Sequence, residues 1–164
     1  MTSMSHPNTE LIERFYTAFQ QRDAETMVAC YADDAVFSDP AFGELVGDEV
    51  RDMWRMLVKH AQDFTLTFSD IEADDRTGRA QWVARYRFVQ TGRDVVNRIE
   101  ARFVFRDGLI VEHRDRFDLW LWMRQAMGVR GTLLGWSPFV QRMLRQQARR
   151  GLLHYRGQLN RERG

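Results

Sequence analysis

His113 and Asp115 are the residues whose types and spacing point most directly to chemistry. They lie in the run Gly108-Leu109-Ile110-Val111-Glu112-His113-Arg114-Asp115-Arg116-Phe117-Asp118. A period of two there predicts a strand with Leu109, Val111, His113, Asp115 and Phe117 on one face. An imidazole and a carboxylate in an otherwise apolar row are costly unless paired, hydrated or in use, so this face is expected to line a cavity. Hydrogen bonding within a core, or a dimer seam, would satisfy the same groups without chemistry. Asp39 is the second carboxylate of interest. If it approaches Asp115, the two cannot both ionise easily, and one can act as acid while the other acts as base. The structural alternative is an aspartate that bonds local amides at a strand end before Pro40.

Continuing the alternation along the neighbouring strands predicts the rest of the wall. Trp82, Ala84 and Tyr86, then Asn97, Ile99, Ala101 and Phe103, face the same way as His113, Asp115 and Phe117. Phe15, Phe19, Phe37, Asp39 and Trp54 close the space, with Tyr16 beside them on the first helix. Mostly apolar and aromatic walls with a few convergent polar groups suit a planar or hydrophobic small molecule. The Trp and Tyr side chains serve equally as wall. The chain has no glycine-rich phosphate loop, Walker pattern, serine elbow or Cys/His metal spacing, and His113 and Asp115 alone are too few ligands for a metal. The expectation is therefore chemistry without cofactor or metal.

The elements that must position these groups change character along the chain. Leu11, Ile12, Phe15, Tyr16 and Phe19 recur at helical spacing and predict a first helix over about Thr9 to Gln21. Asp23 is placed to cap a second helix running through Met27 and Tyr31, ended by Ala32-Asp33-Asp34 before a brief strand from Val36 to Asp39. Asp48 is placed to cap a third helix that buries Val50, Met53, Trp54, Leu57 and Ala61. From Phe64 the period becomes two. Thr77-Gly78, Thr91-Gly92 and Asp107-Gly108 punctuate the strands, and Asp-Gly between alternating runs is a strong hairpin signal. Helices followed by strands indicate α+β, with the helices on one face of a curved sheet.

After Asp118 the helical period returns, with Gly128 as a stop and Ser137-Pro138 opening a basic helix. The expected division is a domain over 1–118 and an amphipathic helical extension over 119–164. The net charge of +1 hides an asymmetry: the extension holds nine Arg against one Glu, so the body is acidic. Fold-back onto that body, or onto a second subunit, is the first expectation for the extension, with membrane-surface contact or a partner groove behind it. At 164 residues the chain fits one domain with its own core. Cys30, the single cysteine, reads as a packed side chain, and the absence of a leader-like segment or long apolar run points to a cytoplasmic protein.

Three stretches resemble the ketosteroid-isomerase-like, SnoaL-like group of the nuclear-transport-factor-2-like superfamily. They are the opening helix into Asp23, the segment Tyr31-Ala32-Asp33-Asp34-Ala35-Val36-Phe37-Ser38-Asp39-Pro40, and the run from Asp107 to Asp115. The resemblance implies a conical α+β barrel, three N-terminal helices against a strongly curved, mostly antiparallel sheet, with a deep apolar pocket and a homodimer. Ketosteroid isomerases, a worked example of tuned carboxylates, place a general base where Asp39 stands. Their first-helix tyrosine would fall at Phe15, one residue from Tyr16, and their second oxyanion donor near Ala101, so both donors are missing. Of the five positions of the limonene-epoxide-hydrolase-like relay only Asp115 is identical; the others would fall at Trp82, Ala84, Phe37 and Asp39. SnoaL-type polyketide cyclases are similar in the closing strand and place a catalytic aspartate at Asp115.

Two readings follow. One is a cofactor-independent enzyme in which Asp115, helped by His113 and Asp39, moves a proton on a hydrophobic carbonyl compound, of isomerase or cyclase type rather than epoxide hydrolase. Its pocket would comprise Phe15, Tyr16, Phe37, Trp54, Trp82, Tyr86, Asn97, Ala101 and Phe117. The other is a non-catalytic module that binds a hydrophobic ligand. The partners expected are a hydrophobic small molecule and a second copy of the chain, not nucleic acid.

Overall fold

The computed structural model describes residues 4–61 and 63–164. Helix α1 (Pro7–Gln20) opens on His6, whose Nδ1 accepts the Asn8 amide, and on Pro7, whose fixed φ suits a first turn. Its buried stripe is Leu11, Ile12, Phe15, Tyr16 and Phe19, as the spacing predicts. Asp23 caps α2 (Ala24–Ala29) by accepting the Thr26 amide. The helix stops short of Tyr31, because β1 (Tyr31–Asp39) starts there: the Ile110 amide already bonds the Cys30 carbonyl, and Tyr31 pairs with Ile110. The brief strand expected from Val36 is thus nine residues long. Cys30 is buried, and burial pushes its thiol up to about 11, a packed side chain rather than a nucleophile.

The connection after Pro40 contains a further strand, β2 (Gly43–Val46), antiparallel to β1. Helix α3 (Asp48–His60) is not capped by Asp48. Gly47 occupies the cap, and the Asp48 carboxylate instead accepts from Arg51 one turn on. Strands β3 (Thr65–Ala73), β4 (Thr77–Phe88), β5 (Arg93–Arg106) and β6 (Leu109–Arg116) follow. The sheet order is β2-β1-β6-β5-β4-β3, antiparallel except for the β1–β6 pair. It is a curved, mixed, open sheet rather than a closed barrel, with the helices on its inner face. Asp107 and Gly108 both have positive φ and make the tight β5–β6 turn. Thr77-Gly78 is not a turn. The chain reverses at Asp74, whose carboxylate accepts the Arg76 and Thr77 amides, and Gly78 lies inside β4, where a Cβ would meet Phe105 at 2.9 Å and Ile12 at 3.0 Å.

Beyond the sheet come α4 (Leu119–Met127), α5 (Val129–Leu134) and α6 (Pro138–Glu162). Asp118 caps α4, and Gly128 at φ 65° ends it. Gln125 of α4 bonds both the amide and the carbonyl of Val96, tying the helix to β5. Helix α6 returns along the body. Arg145 donates to the Pro40 carbonyl, Arg149 to those of Phe42 and Glu44, and Arg156 pairs with Asp52 at 3.0 Å, while Leu152 is buried in the main core. The basic helix therefore lies against its own acidic body.

Two glycines test this packing with opposite signs. Gly78→Ala is expected to lower stability by about 1–3 kcal/mol through overpacking, whereas Gly151→Ala, on an exposed helical site with open space around it, is expected to raise it by about 0.5–1 kcal/mol. Urea unfolding of both variants checks this. By the same measurement Leu152→Ala is expected to cost about 2–4 kcal/mol, and an unchanged midpoint would mean that α6 does not pack as described.

Candidate functional site

Strand register brings the candidate residues together. Phe37 pairs with His113 and Ser38 with Arg114 across the parallel β1–β6 ladder, which sets Asp39 level with Asp115. On the other side of β6, Phe103 pairs with His113 and Ala101 with Asp115, and on β4 the sequence continues as Ala80 opposite Ala101, Trp82 opposite Ile99, and Ala84 opposite Asn97. Alternation therefore puts Asp39, Asp115 and the Ala101–Ala80 pair in one row on the inner face. One part of the expected pattern is corrected. The β5–β6 pairing shifts register between Val104 and Phe105, so Ile110 points inward at 0 % exposure while Leu109 and Val111 are only half-buried; the inward row on β6 is Ile110, His113, Asp115.

A single hydrogen-bond chain runs through the centre of this face. The Trp54 indole Nε1–H donates to the Tyr31 hydroxyl oxygen at 2.9 Å. That oxygen, now an acceptor, directs its own proton to His113 Nδ1 at 2.6 Å. The remaining ring nitrogen, Nε2, then carries the imidazole proton and donates to Asp115 Oδ1 at 2.9 Å. The tautomer assigned here follows from the network as a whole. Tyr31, which the sequence reading placed at a helix end, is thus a central member of the site. Its spacing did not mark it for a role in the site, since only the fold brings it against Trp54 of α3.

His113 does not line open space as expected. It is 0 % exposed and enclosed by the rings of Phe15, Phe37 and Phe103, with the Tyr31 and Trp54 rings nearly parallel to it at 6.1 and 6.0 Å. Both ring nitrogens are engaged, so the imidazole orients Asp115 rather than meeting a ligand. Asp115 is also nearly enclosed, its side chain 3 % exposed. Its Oδ1 is held by His113; among the described residues no hydrogen bond engages Oδ2.

Two buried polar atoms beside this chain have no partner among the described residues, the Tyr16 hydroxyl and the Trp82 Nε1. Their rings lie 5.8 Å apart. Leaving a buried donor unpaired costs about 1–3 kcal/mol. Burial, and then the charge of Asp115, hold the Tyr16 hydroxyl well above its usual range, so it remains a proton donor. Tyr31 is raised in the same way, by burial first and then by Asp115.

Asp39 adopts the local role foreseen for it, accepting the Phe42 amide at 2.6 Å. It is nonetheless displaced from ordinary carboxylate behaviour. Burial, against the opposing pull of the Phe42 amide and together with the charge of Asp115, pushes it up to about 7. Tyr86 stands on the same face, and its hydroxyl accepts the Trp122 indole N–H at 2.5 Å, so α4 reaches over the β4 end of the site. Asn97 is buried on β5, Ala101 is fully buried opposite Asp115, and Phe117 packs half-buried against the core. A groove of about 510 Å³ lies elsewhere, among Glu72, Arg79, Arg102, Glu112 and Arg114 on the outer face of the sheet. Among the described residues, no three His, Cys, Asp or Glu gather to hold a metal.

Comparison with known proteins agrees with this architecture. No curated protein sequence matches the chain. Solved structures do. An NTF2-like protein of unknown function from Burkholderia pseudomallei superposes with a TM-score of 0.66 at 22 % identity, over 74 % of this chain and 98 % of its own. A candidate polyketide cyclase from Xanthomonas campestris gives 0.62 at 22 %, over 73 % and 96 %. An LEH-like epoxide hydrolase of M. tuberculosis gives 0.62 at 22 %, over 77 % and 92 %. At such identities these likenesses show the fold alone. The sequence profile of the SnoaL-like domain matches residues 12–113, from α1 to the site histidine. The chain belongs to the SnoaL-like domain family, within the nuclear-transport-factor-2-like fold.

Proposed function

We propose that this protein is a cofactor-independent acid/base catalyst for a hydrophobic carbonyl compound, with Asp115 as the proton carrier. The observation that carries the reading is the pairing of an oriented, nearly enclosed carboxylate with two buried donors that lack acceptors. A ligand oxygen would satisfy both donors. Asp115 takes a proton from the carbon next to the carbonyl, and the electron pair of that C–H bond moves to the oxygen as enolate. Tyr16 O–H and Trp82 N–H hold the developing negative charge, and their fixed positions cost no reorganisation at that moment. Asp115 then returns the proton to a second carbon, giving an isomer; or the enolate carbon attacks a second carbonyl carbon of the same substrate, closing a ring, and Asp115 returns the proton to the alkoxide oxygen so formed. His113, Tyr31 and Trp54 act as positioning residues. Asp39, pushed up to about 7 and so still partly protonated at neutral pH, supplies a second acid in the same row.

Titration also distinguishes Asp39. In the unfolded chain it titrates near 3.8 and in the native state at about 7. The folded protein therefore holds a proton that the unfolded chain releases above about pH 4. Its contribution to stability is fully present below pH 4 and is lost as the pH rises through 7.

The same enclosure of His113 favours a second reading, a binding module without turnover. The two separate in one experiment. Aromatic and alicyclic ketones that raise the melting temperature are incubated in D2O, and exchange at the acidic carbon is followed by NMR. Catalysis predicts exchange that Asp115→Asn lowers by about 10²–10⁴-fold and Tyr16→Phe by about a hundredfold, with binding retained. Binding without exchange in the wild type leaves the module; exchange undiminished in Asp115→Asn removes Asp115 from the role. Separately, urea unfolding at pH 5 and pH 8 is expected to show a larger loss of stability for the wild type than for Asp39→Asn, and equal losses would show that Asp39 titrates normally.

A further inference from the structure

The turn between α4 and α6 carries apolar side chains that the body does not cover. Val129, Leu133 and Leu134 on α5, Trp136 in the link, and Phe139 and Met143 on the first turns of α6 are each 54–75 % exposed. They fall within fifteen residues of chain, interleaved with Arg130 and Arg142. Single exposed apolar residues need no explanation, but six together do.

The run is a built feature. Gly131 sits so close to α4 that a Cβ would clash with the Met123 carbonyl oxygen, and one at Gly135 would clash with the Gly131 carbonyl oxygen. Trp120 donates to the Thr132 carbonyl, Trp136 to that of Leu133, and Gln141 to that of Gly135. These contacts hold the backbone of the turn against α4 while the large side chains face outward.

The charges along this part of the chain are of one sign. From Leu119 to Arg161 the chain contains no acidic residue. Arg145, Arg149 and Arg156 are engaged by the body, whereas Arg130 and Arg142 stand exposed among the apolar side chains. A protruding Trp, Phe, Leu and Met tip flanked only by arginine matches the interface of an anionic bilayer, which accepts apolar groups at acyl depth and cations at the headgroups. No helix among the described residues is long and apolar enough to cross a membrane, so contact through this tip is peripheral.

We infer that the α5–α6 turn docks the protein on anionic lipid surfaces, with Trp136 and Phe139 inserted and Arg130 and Arg142 on the headgroups. The full chain is sedimented with vesicles of phosphatidylcholine alone and of phosphatidylcholine with 30 % phosphatidylserine. Binding is expected only to the anionic vesicles and to weaken with salt. Trp136→Ser with Phe139→Ser, and independently Arg130→Glu with Arg142→Glu, are expected to weaken it by about tenfold or more, with circular dichroism unchanged. Failure to sediment with anionic vesicles, or binding that both double variants retain, overturns the inference. So does a dimer in analytical ultracentrifugation that the Trp136→Ser, Phe139→Ser pair converts to monomer, since the face would then belong to a second copy.

Discussion

The interaction on which the site depends is the hydrogen-bond chain from Trp54 through Tyr31 and His113 to Asp115. It crosses three elements, α3, β1 and β6, and each member satisfies the next inside a nearly water-free interior. Such chains gain from low surrounding polarity when complete and become costly when one partner is lost. Each link also dictates the one after it. An indole can only donate, so the phenol oxygen accepts; with a neutral imidazole, its proton then goes to Nδ1 and Nε2 faces Asp115 as a donor. The fold thereby fixes which oxygen of the carboxylate is held and which remains available.

Parallel pairing of β1 with β6 makes this possible. An antiparallel neighbour alone could have buried His113, as Phe103 on β5 does from the other side. The parallel partner adds Tyr31 at one end of β6 and Asp39 at the level of Asp115 near the other. Small residues at Ala101 and Ala80 leave the inner face room for the α1 aromatics. There the two neighbours on α1 divide the work: Phe15 packs edge-on to His113, and Tyr16 turns to stack on Phe68 beside Trp82. The tyrosine that counting along the helix puts one place out of line is the one that carries a free donor.

The C-terminal helices join the site to the surface. Trp120 and Trp122, two residues apart on α4, face different tasks: Trp122 reaches Tyr86 over the site, and Trp120 holds the carbonyl of Thr132 in the outward turn. The charge asymmetry has a matching division. Part of the arginine excess answers the carbonyls of the β1–β2 turn and the Asp52 carboxylate, and the rest stays on the outer side of the helix. The buried Leu152 and the partly buried Arg156–Asp52 pair together seat α6.

Much of this was legible in the residues. Apolar spacing in α1 and α3, alternation from Phe64 onward, and the Asp107-Gly108 turn follow from local geometry, because 3.6-residue and 2-residue periods and positive φ are properties of a short stretch of chain. The inward facing of His113 and Asp115 follows from the same alternation. What local periodicity could not supply was anything that depends on a second strand or helix. The register shift that turns Ile110 inward instead of Leu109 and Val111, the extension of β1 back to Tyr31, the strand at Gly43–Val46, and the turn at Asp74 rather than Thr77-Gly78 all arise from cross-strand pairing. Residue order alone therefore determined the α+β class and which carboxylate and imidazole enter the interior. Only the tertiary structure decided that the imidazole is sealed between aromatic rings as an orienting group, and that Tyr31 completes it, because hydrogen-bond partners 82 residues apart meet through packing that no local stretch encodes.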